Sequence, residues 1–256
     1  MSWDLTTVRS VLNSSFNMAP DTQARFDKVV ALKPDYQPNA ETKTVLGSKT
    51  IIEVIAPAAE GKSSIMLMIE HTNKRFSFVN GFTTRKKEAR DPEHLYKYIN
   101  TDEELNDLFD RIEEGSIVQY IQHPTTKQLY GSFPEDYEND YSMLDVLSSA
   151  VAFFEVLPFK KKIKIALVSK GDEWITRLLS RYPEPSEERT KRVNEALQSL
   201  SWVLEQPKDS LVWIENKAGD MDHAVNRIIE LVENDQPSED LSYLAQQMYD
   251  EAKKVA

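Results

Sequence analysis

The 256-residue chain contains no cysteine, which excludes disulfides, thiolate metal sites and a cysteine nucleophile. Histidine is scarce, and His71, His94, His123 and His223 show no metal-ligand spacing. No apolar run approaches the ~20 residues that a bilayer-spanning helix needs. The opening Met1-Ser2-Trp3-Asp4-Leu5-Thr6 lacks the basic and apolar regions of a secretory signal, so a cytoplasmic protein with no membrane partner is expected. Cations are the minority charge: 31 Lys plus Arg stand against 42 Asp plus Glu, giving a net charge of −11. Such a surface repels a phosphodiester backbone, so nucleic acid is not an expected partner. Internal repeats and low-complexity tracts are also missing.

What remains describes an ordinary globular chain. With 40% hydrophobic and 29% charged residues, it can bury the core of one large α/β domain, or of a smaller domain with appendages.

The stretch around which the rest is organised is Ile51-Ile52-Glu53-Val54-Ile55, followed by Ala56-Pro57-Ala58-Ala59-Glu60-Gly61-Lys62-Ser63-Ser64. A β-branched run leads into a small-residue loop, and a helical pattern opens at Lys62. Strand, loop, then helix is the setting of a phosphate-binding loop. Backbone N–H groups converge on an anion, a lysine reaches the terminal phosphates and a hydroxyl holds Mg²⁺. Gly61, Lys62 and Ser63 suit those roles, while Ala56 stands where such loops open on glycine.

On either side the pattern alternates. Phe26, Val29, Val30 and Leu32 predict a helix after Pro20, and Leu5, Val8, Val11, Leu12 and Phe16 predict one before it. Helices are expected over 62–71, 102–114, 171–181, 187–205, 220–232 and 239–254, with one capped by Ser148 running to Leu157. Strands are expected over 51–55, 75–79, 116–121, 141–147, 162–169 and 211–215, with Tyr130-Gly131-Ser132 in a loop. Thr101-Asp102-Glu103-Glu104 reads as a helix start, and Pro183 to Ser186 as a short lid-like turn. Strands alternating with helices predict a mostly parallel sheet covered on both faces.

The combined pattern over about residues 50–233 resembles the guanylate kinase family. Four segments carry the resemblance. They are the loop 56–64; Thr83-Thr84-Arg85 with Tyr96 before Asp102; Glu113-Glu114-Gly115 with the strand after it and Tyr130-Gly131-Ser132; and Arg177, Arg181 and Arg192 with Asn216. The resemblance implies an α/β P-loop three-layer sandwich with a small acceptor-binding subdomain and a short lid. The expected boundaries are a helical extension over 1–48, the kinase-like domain over 49–235 and a C-terminal helix over 236–256. Within the domain, the acceptor subdomain spans about 80–132 and the lid about 181–192.

The implied reaction is phosphoryl transfer from ATP to a nucleoside monophosphate, GMP first among acceptors, in a monomer or homodimer whose partners are small nucleotides. Ala58, Ala59, Glu60, Gly61, Lys62, Ser63 and Ser64 would hold ATP with Asn216, and Ser63 and Asp145 would serve Mg²⁺. Arg177, Arg181 and Arg192 would close over the transferred group with Lys62. Arg85, Arg90, Tyr96, Gln119, Tyr130 and Ser132 would hold the acceptor. Ala56 and Ala59 replace loop glycines and Glu88 a phosphate-binding arginine, while on the base-reading side Gln119 and Leu147 replace acidic residues and Gly81 a serine. These permit relaxed or altered base choice. The competing readings are a guanylate-kinase-like interaction module without catalysis, and a kinase for another phosphate acceptor.

Overall fold

The computed structural model describes residues 18–87, 96–123 and 127–256. The first elements are α1 (Pro20–Leu32), α2 (Ala40–Leu46), β1 (Thr50–Ile55), α3 (Lys62–Thr72), β2 (Phe76–Phe78) and β3 (Phe82–Thr83). Then come β4 (Lys97–Tyr98), α4 (Asp102–Glu113), β5 (Gln119–Gln122), β6 (Leu129–Ser132), β7 (Tyr141–Asp145) and α5 (Val151–Glu155). The chain closes with β8 (Lys161–Val168), α6 (Gly171–Arg181), α7 (Glu187–Glu205), β9 (Val212–Glu215), α8 (Met221–Glu233) and α9 (Ser242–Val255). Contacts divide it into two units, Met1–Val45 with Asn80–Asp136, and Leu46–Val79 with Tyr137–Ala256.

The larger unit is an α/β layer structure. Its five strands run in the order β2-β7-β1-β8-β9, and all four pairings are parallel. Every residue of β1 is buried, as a central strand covered on both faces requires. Ile52 and Val54 point to a core shared with Ile65 and Ile69 of α3 and Ile228 and Leu231 of α8. Beyond the sheet, α6 and α7 each pack on α9, and α9 also touches β8. Helix α9 turns Leu244, Ala245, Met248 and Ala252 inward. The helix starts later than its pattern suggests because Asp240 Oδ1 accepts the Ser242 N–H at 3.0 Å and turns the chain there. No helix among the described residues is long and apolar enough to cross a membrane.

Glu53 breaks the apolar pattern of β1. It has no exposed surface, and neither carboxylate oxygen meets a hydrogen-bond donor among the described residues. Burial, with a smaller push from Glu155, raises its pKa to about 7 against the pull of Lys164 and Lys162. A raised carboxyl pKa means that the folded state holds a proton the unfolded state releases. Stability is therefore lost as pH climbs from about 4.5 to about 7, by up to about 3 kcal/mol. Glu53→Gln should flatten this profile. The expected result is a melting temperature gain over wild type at pH 8 that largely disappears at pH 5; an equal difference at both pH values would contradict it.

The smaller unit holds the sheet β4-β3-β6-β5, in which β3 pairs parallel with β4 and β6 pairs antiparallel with both β3 and β5. Helix α4 starts on the capping box expected at Thr101, whose side chain accepts from Glu104 N while Glu104 reaches back. Gly115 then ends the run with φ 73. The first described segment packs within this unit. Phe26 of α1 meets Phe109 of α4 edge-on at 6.2 Å, and the Tyr120 hydroxyl donates to Val29 O at 2.6 Å. Tyr36 and Tyr120 pack at 5.1 Å, and the Tyr36 hydroxyl donates to Ile117 O at 2.6 Å. Burying those rings on α4 and β5 makes residues 18–45 part of this unit. The helix expected before Pro20 lies outside the described residues.

Three local expectations are corrected, and one helix is added. Tyr130-Gly131-Ser132 is strand β6, not loop, because its backbone fills the ladder between β3 and β5. The strand after Gly115 begins at Gln119, since Ser116 N still donates back to Arg111 O. Ser148 makes no side-chain cap, and a short 3₁₀ turn over Ser148–Ala150 leads into α5 instead. Helix α2 had no expectation, although Asn39 signals it: its Oδ1 accepts the Thr42 N–H at 2.9 Å, an N-cap bond.

Candidate functional site

In the larger unit the chain leaves β1 at the carboxyl edge of a parallel sheet, where α/β sheets bind ligands. Pro57 and Glu60 are buried, Ala59 sits at φ 65, and Gly61 at φ 89 leads into Lys62. A Cβ added to Gly61 would also come within 3.0 Å of Asn216 Nδ2, so only glycine suits this position. The first N–H groups of α3 have no partner within the helix, and Gly61 offers them no side-chain cap. They form the positive end of a helix dipole, the usual seat of a phosphate.

Lys62 folds across this loop. Its Nζ lies 2.5 Å from Ala56 O, 3.5 Å from Pro57 O and 3.4 Å from Asp145 Oδ1. The pairing of Val54 with Asp145 in the β1–β7 register brings that carboxylate to the lysine. Ser63 and Ser64 are exposed on the first turn of α3. A serine hydroxyl and the part-exposed Asp145 carboxylate are hard oxygen donors of the kind Mg²⁺ takes, one or two at a time, alongside substrate phosphates.

Downstream elements brace the loop from behind. Trp174 Nε1 donates to Ala58 O at 3.0 Å and Asn216 Nδ2 to Glu60 O at 2.7 Å. Asn216, expected at the nucleotide, is thus a buried brace of the loop backbone. The Glu60 side chain has no exposed surface. Its Oε2 accepts from Ser169 Oγ at 2.9 Å and from Arg177 Nη2 at 2.7 Å. Burial raises the pKa of this carboxyl, opposed by the Arg177 guanidinium and the Ser169 hydroxyl.

Of the three arginines expected over a transferred phosphoryl group, Arg177 is therefore bound to the loop's own carboxylate. Arg192 pairs with Glu195 at 2.9 Å and Glu188 at 3.8 Å on its own helix. Arg181 is exposed at the end of α6, 5.7 Å from the Tyr182 ring. Among the described residues no hydrogen bond or ion pair joins Arg181 or Arg192 to the loop. Sequence spacing placed these residues on the right helices but could not say what their side chains would meet.

Ala59 is the loop's strained residue. An alanine at positive φ costs about 1 kcal/mol relative to glycine, whereas Ala58 has ordinary backbone angles. Ala59→Gly should thus leave stability unchanged or raise it by up to about 1 kcal/mol, while Ala58→Gly lowers it by about 0.5–1 kcal/mol. Urea unfolding measures both, and equal losses would disprove the left-handed geometry at Ala59.

The smaller unit gathers most of the expected acceptor residues on one sheet face. Gln119 lies opposite Ser132 and Ile121 opposite Tyr130, with Thr83 paired to Tyr130 on the other side. The Arg85 guanidinium carbon stands 5.6 Å from the Tyr96 ring centre and 5.5 Å from that of Tyr98. Tyr96 and Tyr130 pack edge-on at 5.7 Å. Arg85, Tyr96, Gln119, Tyr130 and Ser132 are brought together by strand register, which no local spacing encodes. Arg90 lies outside the described residues.

Sequence reasoning missed Tyr98, which belongs to this cluster, and His123, 6.0 Å from the Tyr130 ring. The alternation Tyr96-Lys97-Tyr98 was the available signal for the first. Gly81 also gains a physical reason. A Cβ there would come within 2.1 Å of Gly131 O, so the expected serine does not fit between these strands.

No protein-family model and no curated protein matches the chain. Among solved structures, it is similar to the crystal structure of guanylate kinase from Anaplasma phagocytophilum. The TM-score is 0.46 and the identity 14%, covering 75% of this chain and 87% of that one.

Proposed function

We propose that the protein is an ATP-dependent, Mg²⁺-requiring kinase for a nucleoside monophosphate, with GMP the leading acceptor. The observation that carries this reading is Lys62, placed at the open N-terminus of α3 and paired with Asp145 at the carboxyl edge of the sheet. In the reaction an acceptor phosphate oxygen forms a bond to the γ-phosphorus of ATP, the bridging P–O bond to the β-phosphate breaks, and ADP leaves. Phosphoryl transfer needs positioning and neutralised charge more than covalent help. Lys62 supplies a positive charge to the β- and γ-phosphates, and the α3 N–H groups supply a fixed dipole. Bound Mg²⁺ would screen the phosphates, with Ser63 and Asp145 as its protein oxygens. Arg85, among the Tyr96, Tyr98 and Tyr130 rings, offers a guanidinium for the acceptor phosphate. Gln119 in place of an acidic base reader supports a relaxed acceptor choice.

A second reading is a nucleotide-binding or interaction module with little catalysis, favoured by the pairing of Arg177 and Arg192 with carboxylates. ADP release from ATP and Mg²⁺, assayed with GMP, dGMP, AMP, CMP, UMP and ribose phosphates, separates the two. Turnover with GMP or with a wider set of nucleotides supports the kinase reading. The absence of turnover with every acceptor supports the module.

A further inference from the structure

We propose that Glu60 and Arg177 form a charge lock that shapes the phosphate loop, making Arg177 a positioning residue for the loop and not a group that reaches the transferred phosphoryl. This rests on the loop being a nucleotide site. The geometry closes on itself: Ser169 Oγ donates to Glu60 Oε2 at 2.9 Å, and Arg177 Nη2 donates to that same oxygen at 2.7 Å and to Ser169 Oγ at 2.6 Å. Residue 60 is held at both ends, because Asn216 Nδ2 takes its backbone oxygen at 2.7 Å. The carboxylate lies wholly inside, and its other oxygen, Oε1, meets no donor among the described residues.

A carboxylate inside a loop built to hold phosphate opposes its purpose unless its charge is cancelled. The Lys62 Nζ is turned to Ala56 O and Asp145, so the cation in direct contact with Glu60 is Arg177. A guanidinium engaged twice through one nitrogen is committed to the loop. Arg181 and Arg192, neither bonded to it, remain the arginines for phosphoryl contact.

The test compares wild type, Glu60→Ala, Arg177→Met and the double variant as full chains. Calorimetry with MgADP and with inorganic pyrophosphate reads binding, and amide exchange of residues 56–61 reads loop order. Arg177→Met alone leaves the Glu60 carboxyl buried without its cation and should weaken both ligands roughly 100-fold while speeding exchange. Removing Glu60 as well should restore affinity to within about 5-fold and return exchange toward wild type, with kcat at saturating ATP largely kept. A double variant as weak as Arg177→Met, with kcat down about 10²–10³-fold, would show that Arg177 acts on the phosphate itself.

If wild type binds neither ligand, the nucleotide reading fails. The lock is then judged on exchange and on melting temperatures: non-additive changes uphold it and additive changes overturn it. Glu60→Gln, which keeps the Ser169 contact, replaces Glu60→Ala if the latter does not fold by circular dichroism.

Discussion

Replacing Lys62 with alanine is expected to cut ATP-dependent phosphoryl transfer by about 10²–10³-fold while leaving the fold intact. The Lys62 side chain is 13% exposed and its ammonium lies between two loop carbonyls and Asp145, so it is held at the loop but exchangeable for a phosphate partner. On the proposed kinase reading, its removal takes the charge that would face the β- and γ-phosphates, a loss concentrated where negative charge moves in the reaction. The helix dipole of α3 remains and supports residual binding. Lys62→Arg should not rescue the reaction. A planar guanidinium cannot replace a compact ammonium 2.5 Å from Ala56 O without displacing the loop. Steady-state ADP release and thermal melting check both parts. Wild-type turnover in Lys62→Ala would remove the loop from the mechanism altogether.

Trp174→Ala is expected to cause the largest loss of stability, about 3–5 kcal/mol, or a melting temperature lower by roughly 6–20 °C. Trp174 has no exposed surface, and at the start of α6 its ring fills space that no neighbour can collapse into without moving the helix. Its indole N–H donates to Ala58 O, so the same side chain anchors the loop. Trp174→Phe separates the two roles. The ring's packing largely survives, and the orphaned carbonyl should cost about 1 kcal/mol. Nucleotide affinity should fall more than stability does, because the loop has lost a brace. Equal affinity in Trp174→Phe and wild type would mean that the bond to Ala58 does not order the loop.

The pattern of strands and helices was legible because each signal is local. The β-branched run at 51–55, the capping box at Thr101 and the Ser186 cap before α7 all act within a few residues of themselves. The loop was legible too, since the glycine that opens Gly-Lys-Ser-Ser meets a requirement of backbone angle, and Gly61 adopts φ 89. Gln119 facing Ser132 was not legible. It depends on register between β5 and β6, and a shift of one residue would turn each side chain to the other face.

The sequence by itself determined an α/β chain with a parallel sheet and a phosphate-type loop at its carboxyl edge, because hydrophobic periodicity and turn chemistry are short-range. Only the tertiary structure decided that Glu60 and Arg177, 117 residues apart, meet, and that residues 18–45 join the smaller unit. Both follow from burial. A carboxylate taken out of water either takes up a proton or meets a cation that the fold brings to it, and the Phe26 and Tyr36 rings settle where apolar surface awaits them. The loop that sequence alone singles out is therefore in contact, through Glu60, with an arginine that sequence alone assigned to another task.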